Sequence, residues 1–252
     1  MEILTPHEFE DSAVAYGYQR MVFDQVASGR RPPTISISPT TRHVGVTRRD
    51  TFRPGFDEAV RASNEEGYPV LLRSSGGGAT AAGPGTFGFS VIRPADERET
   101  GRSIRERYDE AADLVLGAFA RVGARAEVGE VRDEFCPGDH SIRVGGWRDG
   151  SKVVGIAQRI TRRATSVGGI VLVHGEEELE RVLGRVYGAM GLPFRPGNVG
   201  SLRQAGLSTG VPEVIEAFAA EAESRYAAKR VKLDEALVEE ARMSGGRHVI
   251  VR

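Results

Sequence analysis

The chain has 252 residues, of which 40% are hydrophobic and 27% charged, and its formal net charge is −1. That length suits one sizeable core and reads as a single domain over 1–252, with 195–252 a mostly helical C-terminal extension packed on it. The near-zero charge gives no field that would draw nucleic acid or an anionic membrane, no apolar run is long enough to span a bilayer, and one cysteine makes no internal disulfide.

Thr5-Pro6-His7-Glu8 reads as a capping box, with Thr5 as cap, Pro6 in the first helical position and Glu8 reaching back. The helix it opens runs to about Val26. Met1-Glu2-Ile3-Leu4 lacks the basic start of a secretion signal, and a cytoplasmic protein is expected. Thr34 to Ser38 alternates with period two and predicts a strand, and Arg42 to Thr47 predicts another. Phe56 to Glu66 is a short helix stopped by Gly67. Tyr68 to Arg73 is a strand that enters the glycine loop Arg73-Ser74-Ser75-Gly76-Gly77-Gly78-Ala79-Thr80. Phe87, Phe89 and Val91 line one face of the next strand.

Ala111, Leu114, Val115, Ala118, Phe119 and Val122 repeat at helical spacing, and Gly123 supplies the stop. Strands follow at Ala126 to Val128, Ser141 to Val144, Lys152 to Gln158 and Val167 to Val173. Leu179, Val182, Leu183, Val186, Tyr187 and Met190 define a helix, and Arg195 to Gly206 a loop. Helices over Pro212 to Ala228 and Leu233 to Met243, then a strand over His248 to Val251, close the chain. The short links between strands argue against a regular parallel βαβ wind. The expected class is α+β, with mixed, largely antiparallel sheets flanked by helices.

Of the 34 basic residues three are lysine and 31 arginine, and Lys152 lies sixteen residues after the only cysteine, Cys136. A thiol and an ammonium brought together point to a nucleophile with a cation for developing negative charge. Bland readings stand beside this one. A lone cysteine is most often a small buried apolar residue, the glycine run is as often a plain turn, and Lys152 alone would serve as an edge-strand lysine. His140, four residues from the thiol, is either a general base or an ordinary strand residue. His43 and His174 have no second ligand at metal spacing, so no metal is expected. No P-loop is present. Gly83-Pro84-Gly85-Thr86-Phe87-Gly88 matches G-x-G-x-x-G only as text, because it leads into a strand.

Taken together, Arg73-Ser74-Ser75-Gly76-Gly77-Gly78-Ala79, the strand Phe87 to Ile92 and Lys152-Val153-Val154-Gly155-Ile156-Ala157-Gln158 resemble the lipoate–protein ligase and octanoyltransferase superfamily, which is related to biotin protein ligases. Phe135-Cys136-Pro137-Gly138 resembles one branch, the octanoyl-[H protein]:protein N-octanoyltransferases or lipoyl amidotransferases. The resemblance covers about Leu4 to Met190. It implies a biotin/lipoate protein ligase catalytic-domain fold and catalytic Cys136 and Lys152. It also implies an acyl site at Arg73, Ser75, Gly76, Gly77, Gly78, Ala79, Gly155, Ile156, Ala157 and Gln158.

The implied reaction moves an octanoyl or lipoyl group from a carrier-protein thioester or amide, through Cys136, to a lysine of a lipoyl-domain protein. Lys152 would support the thiolate and donate to the acyl carbonyl. Implied partners are the glycine-cleavage H protein, 2-oxoacid dehydrogenase E2 subunits or acyl carrier protein, with no nucleic acid and no membrane. No cofactor is required for this chemistry, whereas the alternative, an ATP-dependent lipoate or octanoate ligase, needs ATP and Mg. A non-catalytic module that binds a lipoyl protein is the third reading.

The chain departs from the pattern in three places. Gly88 stands where an asparagine or tyrosine is usual, Asp139-His140-Ser141-Ile142 follows Pro137-Gly138, and Thr34 to Ser38 lacks an aromatic.

Overall fold

The computed structural model describes residues 1–4 and 8–244. Thr5, Pro6 and His7 of the expected capping box, and the expected strand His248 to Val251, lie outside the described residues. The elements in order are β1 (Glu2–Leu4), α1 (Ser12–Ala27), β2 (Thr34–Pro39), β3 (His43–Val46), a 3-10 turn (Asp50–Phe52), α2 (Phe56–Glu65), β4 (Val70–Leu72), β5 (Thr80–Ala82) and β6 (Thr86–Pro94). They continue with α3 (Glu97–Thr100), α4 (Ile104–Arg121), β7 (Glu127–Val128), β8 (Ile142–Val144), β9 (Ser151–Ile160), β10 (Ala164–Leu172), α5 (Glu176–Ala189), α6 (Val211–Tyr226), β11 (Lys229–Val231) and α7 (Glu235–Ser244).

α1 is described from Ser12, later than the sequence indicates. Its cap is Asp11, whose carboxylate accepts the Val14 N–H at 2.9 Å. Ser103 and Glu106 form a reciprocal capping box that starts α4.

Eight strands form one sheet in the order β11-β1-β2-β6-β10-β9-β8-β7, and three form another in the order β4-β3-β5. In the large sheet β1 pairs in parallel with both β2 and β11, and every other pairing is antiparallel. The class is therefore α+β with largely antiparallel pairing. Alternation along a strand sends successive side chains to opposite faces. Phe87, Phe89 and Val91 of β6 join Ile35, Ile37, Val167 and Val171 in one core under α4 and α6. Phe218 of α6 sits against Phe87 and Phe89, with ring centroids 5.9 and 4.8 Å away.

A second core lies between the small sheet, α2 and α5, and a third joins α1 to α7. Within the C-terminal region, α6 thus packs on the large sheet and α7 on α1. Among the described residues no helix is long and apolar enough to cross a membrane.

Candidate active site

The other face of the large sheet carries mostly small residues where β9, β10 and β6 meet. The register aligns three rows across β9, β10 and β6: Arg159, Ser166 and Ile92; then Ala157, Gly168 and Ser90; then Gly155, Ile170 and Gly88. All nine line a cavity of about 350 Å³. From Gly155 to Arg159 it follows the strand for about 13 Å. Glycine, alanine and serine leave the space that larger side chains would fill.

The opposite wall comes from α1, where Ser12, Ala15, Tyr16, Gln19 and Phe23 share one helical face. Buried His43 lies there too. Its Nδ1 is 2.8 Å from Ser12 Oγ, and burial pulls its imidazole down to about 4, so it is neutral near pH 7. Burial also pushes the Tyr16 phenol up to about 12, against the opposing effect of Arg73.

Cys136 lies on the cavity wall, half-buried, in the loop between β7 and β8. Its φ is +45° and that of Asp133 is +53°. Such left-handed conformations cost non-glycine residues on the order of 1–3 kcal/mol and persist only where surrounding contacts impose them. The contacts are present. Arg195 N–H donates to the Asp133 carbonyl at 3.0 Å, and the Asn198 side-chain amide donates to the same oxygen. Cys136 N–H donates to Tyr187 Oη at 2.6 Å.

The glycine loop closes over the sulfur. Gly78 N–H donates to Cys136 Sγ at 3.2 Å, and Arg73 Nη2 approaches the same sulfur at 3.5 Å. Arg73 Nη2 also donates to the Gly78 carbonyl at 2.6 Å, and Nη1 to Ser75 Oγ at 3.1 Å. One guanidinium therefore holds both ends of the bend. Gly77 takes φ +103°, and a Cβ built on it would lie 2.5 Å from Cys136 Sγ. Only glycine lets the loop approach the thiol this closely.

The structure places Lys152 differently from the expectation of a cation facing the substrate. Its side chain is 1% exposed and is not among the cavity-lining residues. Nζ donates to Glu134 Oε1 at 3.0 Å, to the Phe135 carbonyl at 2.9 Å and to the Cys136 carbonyl at 2.8 Å. An ammonium has three N–H donors, and these three acceptors occupy them. Lys152 thus grips the main chain of the cysteine loop from behind. Glu134, also buried, accepts from Val131 N–H at 2.8 Å and from Ser141 Oγ at 2.5 Å.

Of the expected acyl-contact residues, Arg73, Ser75, Gly155, Ile156 and Ala157 line the cavity with Cys136. Gly76, Gly77, Gly78, Ala79 and Gln158 do not. Gly76 N–H is bonded to the Gln158 carbonyl at 3.3 Å and Ala79 is buried, so this part of the loop serves the sulfur and the strands. His140 is in a turn before β8, not in a strand. Its ring stacks on Tyr108 and its Nε2 lies 3.1 Å from Asp109.

Sequence reasoning missed the α1 wall and Tyr187. The spacing of Ser12, Ala15, Tyr16, Gln19 and Phe23 was available as a second face on a helix whose first face was already apolar. Among the described residues no group of three or more His, Cys, Asp or Glu side chains is placed to hold a metal.

The family model described as the lipoyl protein ligase A/B catalytic domain matches residues 11–223. An octanoyl-[GcvH]:protein N-octanoyltransferase of Geobacillus kaustophilus is 33% identical over 165 residues, which are 66% of this chain and 56% of the relative. A lipoyl-[GcvH]:protein N-lipoyltransferase of Listeria monocytogenes is 26% identical over 152 residues, covering 60% of this chain and 52% of the relative. The matched region thus spans little more than half the length of these curated relatives. The crystal structure of a lipoate-protein ligase A bound with ATP superposes with a TM-score of 0.70 at 18% identity, covering 98% of this chain and 94% of that one. With the model matching most of its length, the chain belongs to the lipoyl protein ligase A/B catalytic domain family.

Proposed function

We propose that the chain is a cysteine-dependent acyltransferase that moves an octanoyl or lipoyl group from one carrier protein to a lysine of another, and that the whole chain acts as one catalytic unit. The observation that carries this reading is the pair of donors, Gly78 N–H and Arg73 Nη2, converging on Cys136 Sγ beside the cavity. Donors aimed at sulfur suit a thiolate, and the slot along β9 suits an extended medium-length acyl chain.

In the first step the thiolate attacks the acyl carbonyl, the bond from that carbon to the donor breaks, and the donor nitrogen or sulfur takes one proton from water and leaves as an amine or thiol. The acyl group is now a thioester on Cys136. In the second step an acceptor lysine attacks the thioester, expels the Cys136 thiolate and loses a proton, which leaves an amide. The matched octanoyltransferase is named for an octanoyl-H-protein donor, and an H protein is the donor we propose. Exchange of one amide for another is close to balanced overall, so ATP has no step to drive. Gly78 N–H and Arg73 are the groups at hand for the developing oxyanion, where one such donor is typically worth about 3–4 kcal/mol.

Intact-mass measurement with three donors tests the reading: octanoyl-H protein, octanoyl-acyl carrier protein, and free octanoate with ATP and Mg. An octanoyl adduct on Cys136 is expected from the H protein, with no pyrophosphate in the third arm. Pyrophosphate release without an adduct from either carrier would establish a ligase instead.

Gly88 gives a second check. A Cβ there would have nothing nearer than 3.9 Å, so a larger side chain enters the cavity without striking the backbone. Gly88→Leu is expected to lower octanoyl transfer by about tenfold or more, the scale of an overpacked pocket, and to spare a butyryl donor. Competition between the two donors, read by product mass, measures the shift.

A further inference from the structure

We propose that Tyr187 is a positioning residue for Cys136, its hydroxyl setting the distance between the nucleophile and the glycine loop that serves it. The inference rests on the acyltransferase reading for its catalytic consequence, and on hydrogen-bond geometry alone for its effect on the thiol.

Tyr187 projects from α5 and is 3% exposed. Its hydroxyl oxygen accepts the Cys136 N–H at 2.6 Å and donates its own hydrogen to the Ala79 carbonyl at 2.9 Å. Ala79 directly follows Gly78, whose N–H lies on Sγ. One oxygen thus ties the main chain of the cysteine to the main chain of the residue next to its donor. Gly76 and Gly77 give the bend no side chains of its own, and Cys136 holds φ +45° through contacts from outside its loop, of which this bridge is one.

α5 itself is fixed, because Leu179, Val182, Leu183 and Val186 are buried in the second core. Its tyrosine therefore acts as a spacer mounted on a rigid element. A spacer of this kind must donate and accept at once, which a neutral phenol does. Burial raises the Tyr187 phenol well above its ordinary range, with the nearby Cys136 acting in the same direction. Lys152 holds the carbonyls of residues 135 and 136 while Tyr187 holds the amide of residue 136, so the peptide units on both sides of the thiol are pinned from two directions.

The test is Tyr187→Phe, which keeps the ring and removes the bridge. Three quantities are read on the full chain: the rate of Cys136 alkylation by iodoacetamide across pH, followed by intact mass; kcat and KM for octanoyl transfer; and Tm. The expected result is a roughly tenfold slower alkylation near pH 7 with a displaced pH profile, and a kcat lowered about tenfold or more at little-changed KM, the factor that a net loss of about 1.4 kcal/mol from the two hydrogen bonds gives. Phe194→Ala, which removes the ring beside Tyr187 at 5.6 Å, is expected to lower Tm without moving the alkylation profile. Wild-type alkylation kinetics and pH profile in Tyr187→Phe would overturn the proposal.

Should that variant not fold, hydrogen exchange on the wild-type protein decides. A protected Cys136 amide upholds the bridge, and exchange at the rate of an open loop removes it. If no donor acylates the wild-type chain, the acyltransferase reading fails while alkylation and exchange still decide what Tyr187 does to the thiol.

Discussion

Cys136→Ser is expected to reduce octanoyl transfer by about 10³-fold or more, the scale seen when an enzyme loses its nucleophile. The substitution changes one atom on a half-buried side chain. Oxygen is smaller than sulfur, so the narrow gap between Gly77 and position 136 remains open. Gly78 N–H and Arg73 retain an acceptor to bond. Tm is therefore expected to stay within a few degrees, and the loss to be chemical. The two groups that contact the sulfur, Gly78 N–H and Arg73 Nη2, are donors and would not take a proton from a serine hydroxyl, whereas a thiol ionises readily near neutral pH. Single-turnover mass spectrometry with octanoyl-H protein reads the result. Full transfer by the serine variant from octanoyl-H protein would remove the Cys136 thioester intermediate and point to direct attack of the acceptor lysine on the donor.

The regular elements were legible because their signals are local. The spacing of Leu179 to Met190 and the alternation of Phe87, Phe89 and Val91 place those residues as the structure does. β1 and β11 were not legible. Each has three residues, too few for a pattern, and each depends on parallel partners distant in sequence. At the site, the cysteine, the lysine and the glycine bend were all visible as motifs, and their mutual orientation was not. Lys152 stands in an alternating segment, and nothing in its spacing says that its ammonium turns toward Glu134, eighteen residues earlier, instead of the cavity. Tyr187 was counted as a core residue of a clear helix, and it is one. Its second task belongs to the hydroxyl, which periodicity does not see. The cavity itself was hidden because it is made by what Gly88, Gly155, Gly168 and Ala157 lack.

Glu134→Ala is expected to have the largest effect on stability, because it strands the buried ammonium of Lys152. Removing one partner of a buried ion pair typically costs about 3–5 kcal/mol, which for a chain of this size corresponds to a Tm lower by roughly 10 °C. The same change leaves Val131 N–H and Ser141 Oγ without their acceptor. Lys152→Met relieves the charge and frees the Phe135 and Cys136 carbonyls from their clamp. The double variant Glu134→Gln with Lys152→Met, which removes both charges, is expected to recover part of the lost stability, since a buried pair contributes little over a well-packed neutral substitute. Transfer should not recover with it. The carbonyls of residues 135 and 136 remain unheld, and alkylation of Cys136 should stay as slow as in Lys152→Met. A lysine that worked by contacting the acyl group would give the reverse pattern: Lys152→Met would lose transfer at unchanged Tm and alkylation, and Glu134→Gln would free the ammonium and preserve turnover. Thermal melts, alkylation rates and transfer assays on these four variants separate a lysine that holds the backbone of residues 135 and 136 from one that touches the substrate.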